Sequence, residues 1–409
     1  MSYERLFNRL GVLALFVALV VVAGVAGWHT LLNTYAGAWS HQPEDADWLL
    51  ADSARQLIAD SMADLDAGVV DHQVALLSSR AIGARAPGEP DQPRVNVSVP
   101  TAPRAWLEWQ FLRHAAGVDD VLQAFELQAS RLLRQIDAMP GDYRAYVFAR
   151  DAVYSRAGAL DAGATTAFVA NADVVALAAR SDGHLIPVVS VHPARPDAVA
   201  VLRRWAERGV RDVAWWPAQQ QIDLAGASAQ AAYAVMAAHD MRLHTRIGPG
   251  RDSETGQAMI DARALRDALD AGVAVTVSID APADNAREVM ESLFALLRQP
   301  AYRARLRIAL DGVLAGRRDQ SVLAPLLQHP QFFDRLCYAS GYPHSAIAGA
   351  IDLEALADDG FLDPALIAPL RAIYDVNPLL FMFVTLRQVR LPTTGLKLPA
   401  RVFACRAES

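Results

Sequence analysis

A chain of 409 residues that is 53% hydrophobic and 20% charged has the material for one large α/β domain or two smaller ones, and falls outside the disordered class. Its formal charge of -7, without basic clusters, argues against a nucleic-acid partner. Two cysteines, Cys337 and Cys405, are too few for a disulfide framework or a Cys-based zinc site, and Cys337, set in an apolar run, reads as a buried small hydrophobe.

Residues 1–9 read as a cytoplasmic tail, and Leu10–Trp28 then runs without a charge for long enough to span a bilayer as a helix. Arg5 and Arg9 precede the run, while Glu44, Asp45 and Asp47 follow it, so the positive-inside rule places the remainder on the extracytoplasmic, periplasmic side. The alternative is a signal peptide cleaved at Gly24-Val25-Ala26, which would leave the protein secreted. The length of the run and Trp28 as an interfacial anchor favour the uncleaved tether. Residues 29–48 form a polar linker, and 49–409 the folded body.

Leu49–Leu65 fits an amphipathic helix with Leu57, Ile58, Met62 and Leu65 on one face. VVDHQVAL follows as a first strand, then the Pro-, Gly- and Arg-rich stretch Ser78–Arg104 as a long loop. Ala105–Met139 is helical by pattern. Strands are predicted at Tyr143–Ala149, Ile186–His192, Val210–Trp216, Met241–Ile247, Val273–Ile279, Arg305–Leu310 and Arg335–Ser340. Helical stretches separate most of them: the run around Val201, Leu202 and Trp205, then Ala229–His239, Asp261–Asp270, Ala286–Leu297 and Ser321–His329. Eight β/α alternations point to a (β/α)8 TIM-type barrel, with an open doubly wound sheet as the alternative. Pro364–Val389 is a C-terminal helical part that packs outside the barrel or across one end.

In such a barrel chemistry belongs at the C-terminal ends of the strands. Those ends carry His72, Gln73, Ala75, His192, Ala214, His244, Ile279, Asp280, Asp311, Ser340, Gly341 and Tyr342. That set is sparse in groups that would converge on a divalent ion. No Gly-x-Ser-x-Gly, phosphate-binding loop or Cys/His signature is present. His244 has no evident orienting partner and reads as a hydrogen-bonded pocket histidine, while His192, ahead of Pro193, suits a turn. Of Trp215 and Trp216, one ring should face the mouth and the other pack under a helix. Arg246 and Arg251 are placed to meet an anion or solvent.

The stretch SVHPARPDAVAVLRRWAERGVRDVAWWP resembles the amidohydrolase-related (amidohydrolase 2 type) metal-dependent hydrolases. The resemblance continues through LHTRIG, LDAGVAVTVSIDAP, LFALLRQPAYRARL, DRLCYASGYP and IYDVNPLLFMFVTLRQVRLPTTG, over about residues 65–403. It implies a His-x-His pair where this chain has Gln73 and Ala75, a lysine at Ala214 and a histidine at His244. It further implies an acidic pair at Arg246–Gly248, a histidine at Ile279 and an aspartate at Gly341. His244 alone is kept. His72 and Asp280 lie one residue from two lost positions, and that offset aims a strand side chain at the opposite face unless a bulge intervenes.

The resemblance therefore implies a membrane-anchored amidohydrolase-like pseudoenzyme, with no resident metal or cofactor and no catalytic residue beyond the surviving His244. Its expected pocket is His72, Gln73, His192, Trp215, His244, Arg246, Asp280 and Tyr342. Its expected partners are the membrane through the N-terminal helix, a small-molecule ligand, and a second copy or an active relative. The alternative is an exported metal-dependent hydrolase, with zinc or another divalent ion at a relocated site built from His72, His192, His244, Asp280 and Asp311.

Overall fold

The computed structural model describes residues 3–37, 49–65, 68–77, 102–120, 123–248, 261–279, 283–316 and 319–405, with the backbone path alone at 3–19, 283–284 and 319–320. Eight runs rich in β-branched and aromatic residues form strands: β1 (Val69–Ala75), β2 (Tyr143–Phe148), β3 (Leu185–Val189), β4 (Asp212–Trp215), β5 (Arg242–Ile247), β6 (Ala274–Ile279), β7 (Leu306–Ala309) and β8 (Leu336–Cys337). They pair in chain order, every pair parallel. The ring closes through backbone bonds between the first and last strands: His72 N–H to Tyr338 O at 2.9 Å, Gly341 N–H to Gln73 O at 3.1 Å and Ala75 N–H to Tyr342 O at 2.8 Å. This is the (β/α)8 barrel that the alternation predicts.

Strand alternation sorts side chains into two layers. Val275, Val277 and Ile279 on β6, with Val213 and Trp215 on β4, join the large core between barrel and helices. Val70, Tyr146, Phe148, Val188, Ala214 and Trp216 form a second apolar cluster inside the barrel. One irregularity breaks the alternation, a register shift between Asp71 and Val74 on β1. This bulge corrects the expectation that His72 aims at the wrong layer, because it turns the His72 ring inward against Tyr146 at 4.7 Å between ring centres.

The helices that matter to the site are α1 (Tyr3–Ala36), α2 (Asp52–Met62), α3 (Pro103–Ala115), α4 (Ala124–Asp137), α5 (Asn171–Ala179), α6 (Ala198–Glu207), α7 (Ala227–Ala238), α8 (Ala283–Leu297), α9 (Ile367–Val376), α10 (Pro378–Gln388) and α11 (Ala400–Phe403). The stretch Ala105–Met139 that is helical by pattern forms the pair α3 and α4, separated at Gly117, whose φ of +72° no helix continues. The helix expected at Pro364–Val389 is likewise two, split at Asn377. The Asn377 amide oxygen accepts from Leu379 N–H at 3.1 Å and Leu380 N–H at 3.3 Å, with Pro378 in the first turn of α10. Every side chain from Pro378 to Leu386 is buried, so α10 is an interior helix. α5 escaped the sequence because its Ala- and Val-rich face has no polar counterpart to set a period.

The cysteines overturn their expectation. Cys337 points inward from β8 and Cys405, just past α11, meets it as a disulfide with Cα atoms 5.3 Å apart. Counting cysteines excludes a framework, but it does not reveal that α11 returns the chain to the seam between β8 and β1. Val402 O accepts from Tyr338 N–H there at 2.9 Å.

The expected span Leu10–Trp28 lies on α1, and the side chains of its residues 10–19 are outside the described residues. Among the described residues no helix is long and apolar enough to cross a membrane. α1 leaves Val20, Val21, Val22 and Val25 more than half exposed. Its later turns stack on α3 through Trp28 on Trp106 at 5.4 Å and Tyr35 on Phe111 at 6.3 Å. The 78–101 part of the expected loop, Arg251 and Asp280 lie outside the described residues.

Candidate functional site

Two histidines face each other inside the barrel, His72 from the β1 bulge and His244 from β5, with ring centres 6.5 Å apart. Tyr146 tilts against His244 at 5.1 Å, and Phe148 meets it edge-on at 5.4 Å. Each histidine commits one ring nitrogen to the protein. His72 Nε2 donates to Cys405 O at 2.8 Å, and His244 Nε2 donates to Asp212 Oδ1 at 2.8 Å. Both Nδ1 atoms are buried without a hydrogen-bond partner. Burial presses the His72 imidazole down to about 3, against the pull of the Cys405 carbonyl.

Asp212 is the orienting partner that the sequence did not disclose for His244. It lies on β4 directly across the register from Arg242 on β5. Arg242 grips its carboxylate with two bonds, Nε to Oδ1 at 2.8 Å and Nη2 to Oδ2 at 2.6 Å. Burial alone would raise Asp212, but the bonds from His244 and Arg242 outweigh it and hold the carboxyl down to about 2. An aspartate within the apolar run of β4, in the same layer as Ala214 and Trp216, was the available signal.

A small pocket opens at the C-terminal ends of the strands over both histidines, with about 10 Å3 of enclosed space, room for one water. Phe148 and Trp216 form its apolar wall, and Gln73, Arg246, Thr276 and Ser278 its polar wall. The Arg150 guanidinium lies 4.5 Å over the Trp216 ring. Arg246 Nη2 donates to Asp311 Oδ2 at 2.5 Å, while Asp311 Oδ1 is buried and has no hydrogen-bond partner. Gly341 sits beside this carboxylate with φ of +68°, and a Cβ there would lie 3.3 Å from the Asp311 Cβ. A side chain at 341 would take a left-handed backbone at a cost in strain and would push the Asp311 Cβ back by a few tenths of an ångström.

The structure thus brings His72, Gln73, His244 and Arg246 together and places the other expected pocket residues elsewhere. Trp215 borders the cleft, but its indole belongs to the outer core, donating to Val191 O at 2.8 Å and packing on Tyr233 at 5.4 Å. His192 is spent on its turn, with Nε2 donating to Gln220 O at 2.9 Å and Nδ1 accepting from Ala194 N–H at 3.1 Å. Tyr342 is wholly buried in the outer core. Asp280 is outside the described residues. Asp212, Tyr146, Phe148, Thr276 and Ser278 are the neighbours that sequence reasoning passed over. Among the described residues, the set of three ligand-type side chains that converges is not at the expected positions; it is His72 with Cys337 and Cys405.

No protein-family model matches the chain, and no curated protein matches it. Solved structures that show some likeness include two of known enzymes. Metarhizium anisopliae IDCase in apo form is 12% identical and covers 78% of this chain and 95% of its own, with a TM-score of 0.43. N-acetyl-D-glucosamine-6-phosphate deacetylase from Mycobacterium smegmatis is 14% identical and covers 83% of this chain and 78% of its own, with a TM-score of 0.28. Likeness at this level does not bear on the chemistry of this chain.

Proposed function

We propose that the chain is an amidohydrolase-like barrel that no longer performs metal-dependent hydrolysis and instead binds a small ligand at its mouth. The observation that carries this reading is the pair of buried, unpartnered Nδ1 atoms on His72 and His244 beneath the cleft. Two unpartnered ring nitrogens call for a ligand with hydrogen-bonding groups, and Phe148 and Trp216 give the pocket an apolar side. Loss of hydrolysis is supported by the positions that the family resemblance marks. Ile279 faces the helices, Ala214 lies in the inner apolar cluster, and Gly341 holds a left-handed backbone that strains any side chain.

The barrel works beyond the membrane, tethered by α1, whose uncharged run and exposed valines support that placement. A second copy or an active relative remains the partner this reading expects. A mature chain that begins after Ala26 would remove the tether and leave a secreted barrel.

The test uses the full chain with its disulfide intact. Heterocyclic compounds bearing N–H donors are screened for a rise in melting temperature, and hits are titrated by calorimetry. A ligand present at 100 times its Kd stabilises by about 2.7 kcal/mol. His244→Ala should weaken it about tenfold, the worth of one buried hydrogen bond. Metal-dependent cleavage of an ester or amide panel, abolished by His244→Ala in the same oxidised protein, would sink the reading.

A further inference from the structure

Three chain segments far apart in sequence bring two sulfurs and an imidazole to one point in the barrel wall. Cys337 lies on β8, His72 on the β1 bulge, and Cys405 follows α11 into the seam between those strands. Cys337 is wholly buried, Cys405 is 9% exposed and His72 is 3% exposed. Their ligand-type atoms all lie within 4.8 Å of one another. Zinc takes sulfur at about 2.3 Å and nitrogen at about 2.0–2.1 Å, so tetrahedral ligand atoms stand roughly 3.5 Å apart. Opening the sulfur–sulfur bond and rotating two side chains spans that difference without moving a strand.

Two neighbours favour this chemistry. Arg307 Nη1 lies 3.9 Å from the Cys405 sulfur, and a guanidinium beside a thiol favours its thiolate. The His72 ring is already held between a backbone carbonyl at Nε2 and an unpartnered Nδ1, so it is oriented and has a nitrogen to give.

We propose that Cys337, Cys405 and His72 form a redox-gated site for one thiophilic divalent cation, zinc first, which binds when the cysteines are reduced and leaves when the disulfide forms. A dithiol reductant delivers two electrons and two protons to the disulfide and becomes a disulfide itself. Zinc then displaces the two thiol protons to solvent and takes one imidazole nitrogen. Three protein ligands leave a fourth position for water or a small ligand. In reverse, a protein disulfide accepts the two electrons, the sulfur–sulfur bond re-forms and the ion departs. A count of two cysteines excludes a site made of cysteine alone; His72 completes a mixed one.

Cobalt titration of the full chain, reduced anaerobically with a phosphine, tests the proposal. The reduced chain should bind one cobalt ion with a sulfur-to-cobalt charge-transfer band and tetrahedral visible bands, and the oxidised chain none. Cys405→Ser should weaken binding about 100-fold, and His72→Ala should keep the charge-transfer band while shifting the visible bands and weakening binding by about tenfold or more. Absence of cobalt binding by the reduced, folded chain overturns the site. Equal binding by the Cys337→Ser/Cys405→Ser double variant does so too, and so does unfolding on reduction, since the site needs its scaffold. The outcome is independent of the ligand proposed for the mouth, which is tested in oxidised protein.

Discussion

Replacing Asp212 by asparagine probes the charge that aims His244. The substitution leaves the part-buried Arg242 guanidinium without its bidentate carboxylate, and breaking such a pair costs about 3 kcal/mol or more. Denaturant unfolding of Asp212→Asn should show that loss, and imidazole nitrogen shifts should show His244 no longer held with its proton on Nε2. An unchanged midpoint would mean that Arg242 finds another acceptor. At this scale the sequence disclosed candidates but not partners. His244 stood out at a strand end, whereas Asp212 is 32 residues away and meets it only through the register of β4 on β5. His72 was mis-aimed by strict alternation, because a one-residue bulge leaves no composition signal.

The elements were more legible than the residues, since hydrophobic runs and Gly or Pro breaks carry local information. Seven of the eight barrel strands fall within the stretches that periodicity marks and β3 starts one residue ahead of its own, at Leu185, while β8 shrinks to Leu336–Cys337. The C-terminal stretch Pro364–Val389 has a continuous apolar pattern, and its break into two helices rests on a single capping residue. Asn377→Ala removes that cap and the Nδ2 bond to Gln135 O at 2.8 Å, and should cost about 1–2 kcal/mol in thermal unfolding. The disulfide closes 68 residues, for which chain entropy gives about 4 kcal/mol. Cys405→Ser should lower the oxidised protein's stability by roughly that amount. A loss near zero would mean that α11 stays seated through backbone bonds alone.

For the whole molecule, three buried groups set the response to acid. His72 is pressed down to about 3, below an unfolded imidazole, so its contribution is complete above pH ~6.5 and is lost as pH falls toward 3. Asp71 runs the other way. Burial pushes it up to about 6, against hydrogen bonds from Ser340, Gln73 and Tyr143, so its contribution is complete below pH ~4 and is lost as pH rises through 6. Between pH ~6 and ~4 the two oppose each other, and stability should stay nearly level. Below pH ~4 Asp212, held down to about 2, adds its own loss as it protonates, and the curve should steepen. Asp71→Asn removes the opposing group, so unfolding free energy should then fall from pH ~6.5 downward, by up to about 1.4 kcal/mol per pH unit. A level stretch that persists in that variant would mean that Asp71 is not the compensating group.

The seat of Cys405 against His72 has a consequence for biosynthesis. The two residues are 333 positions apart, and the seam between β1 and β8 needs residues 336–405 to fill it. While a ribosome has delivered only the chain up to β7, β1 is paired to β2 on one side and presents an open edge on the other. Closure of the ring must wait until residues 336–405 have emerged, and the waiting edge is where a chaperone, or another nascent chain, would meet this protein first.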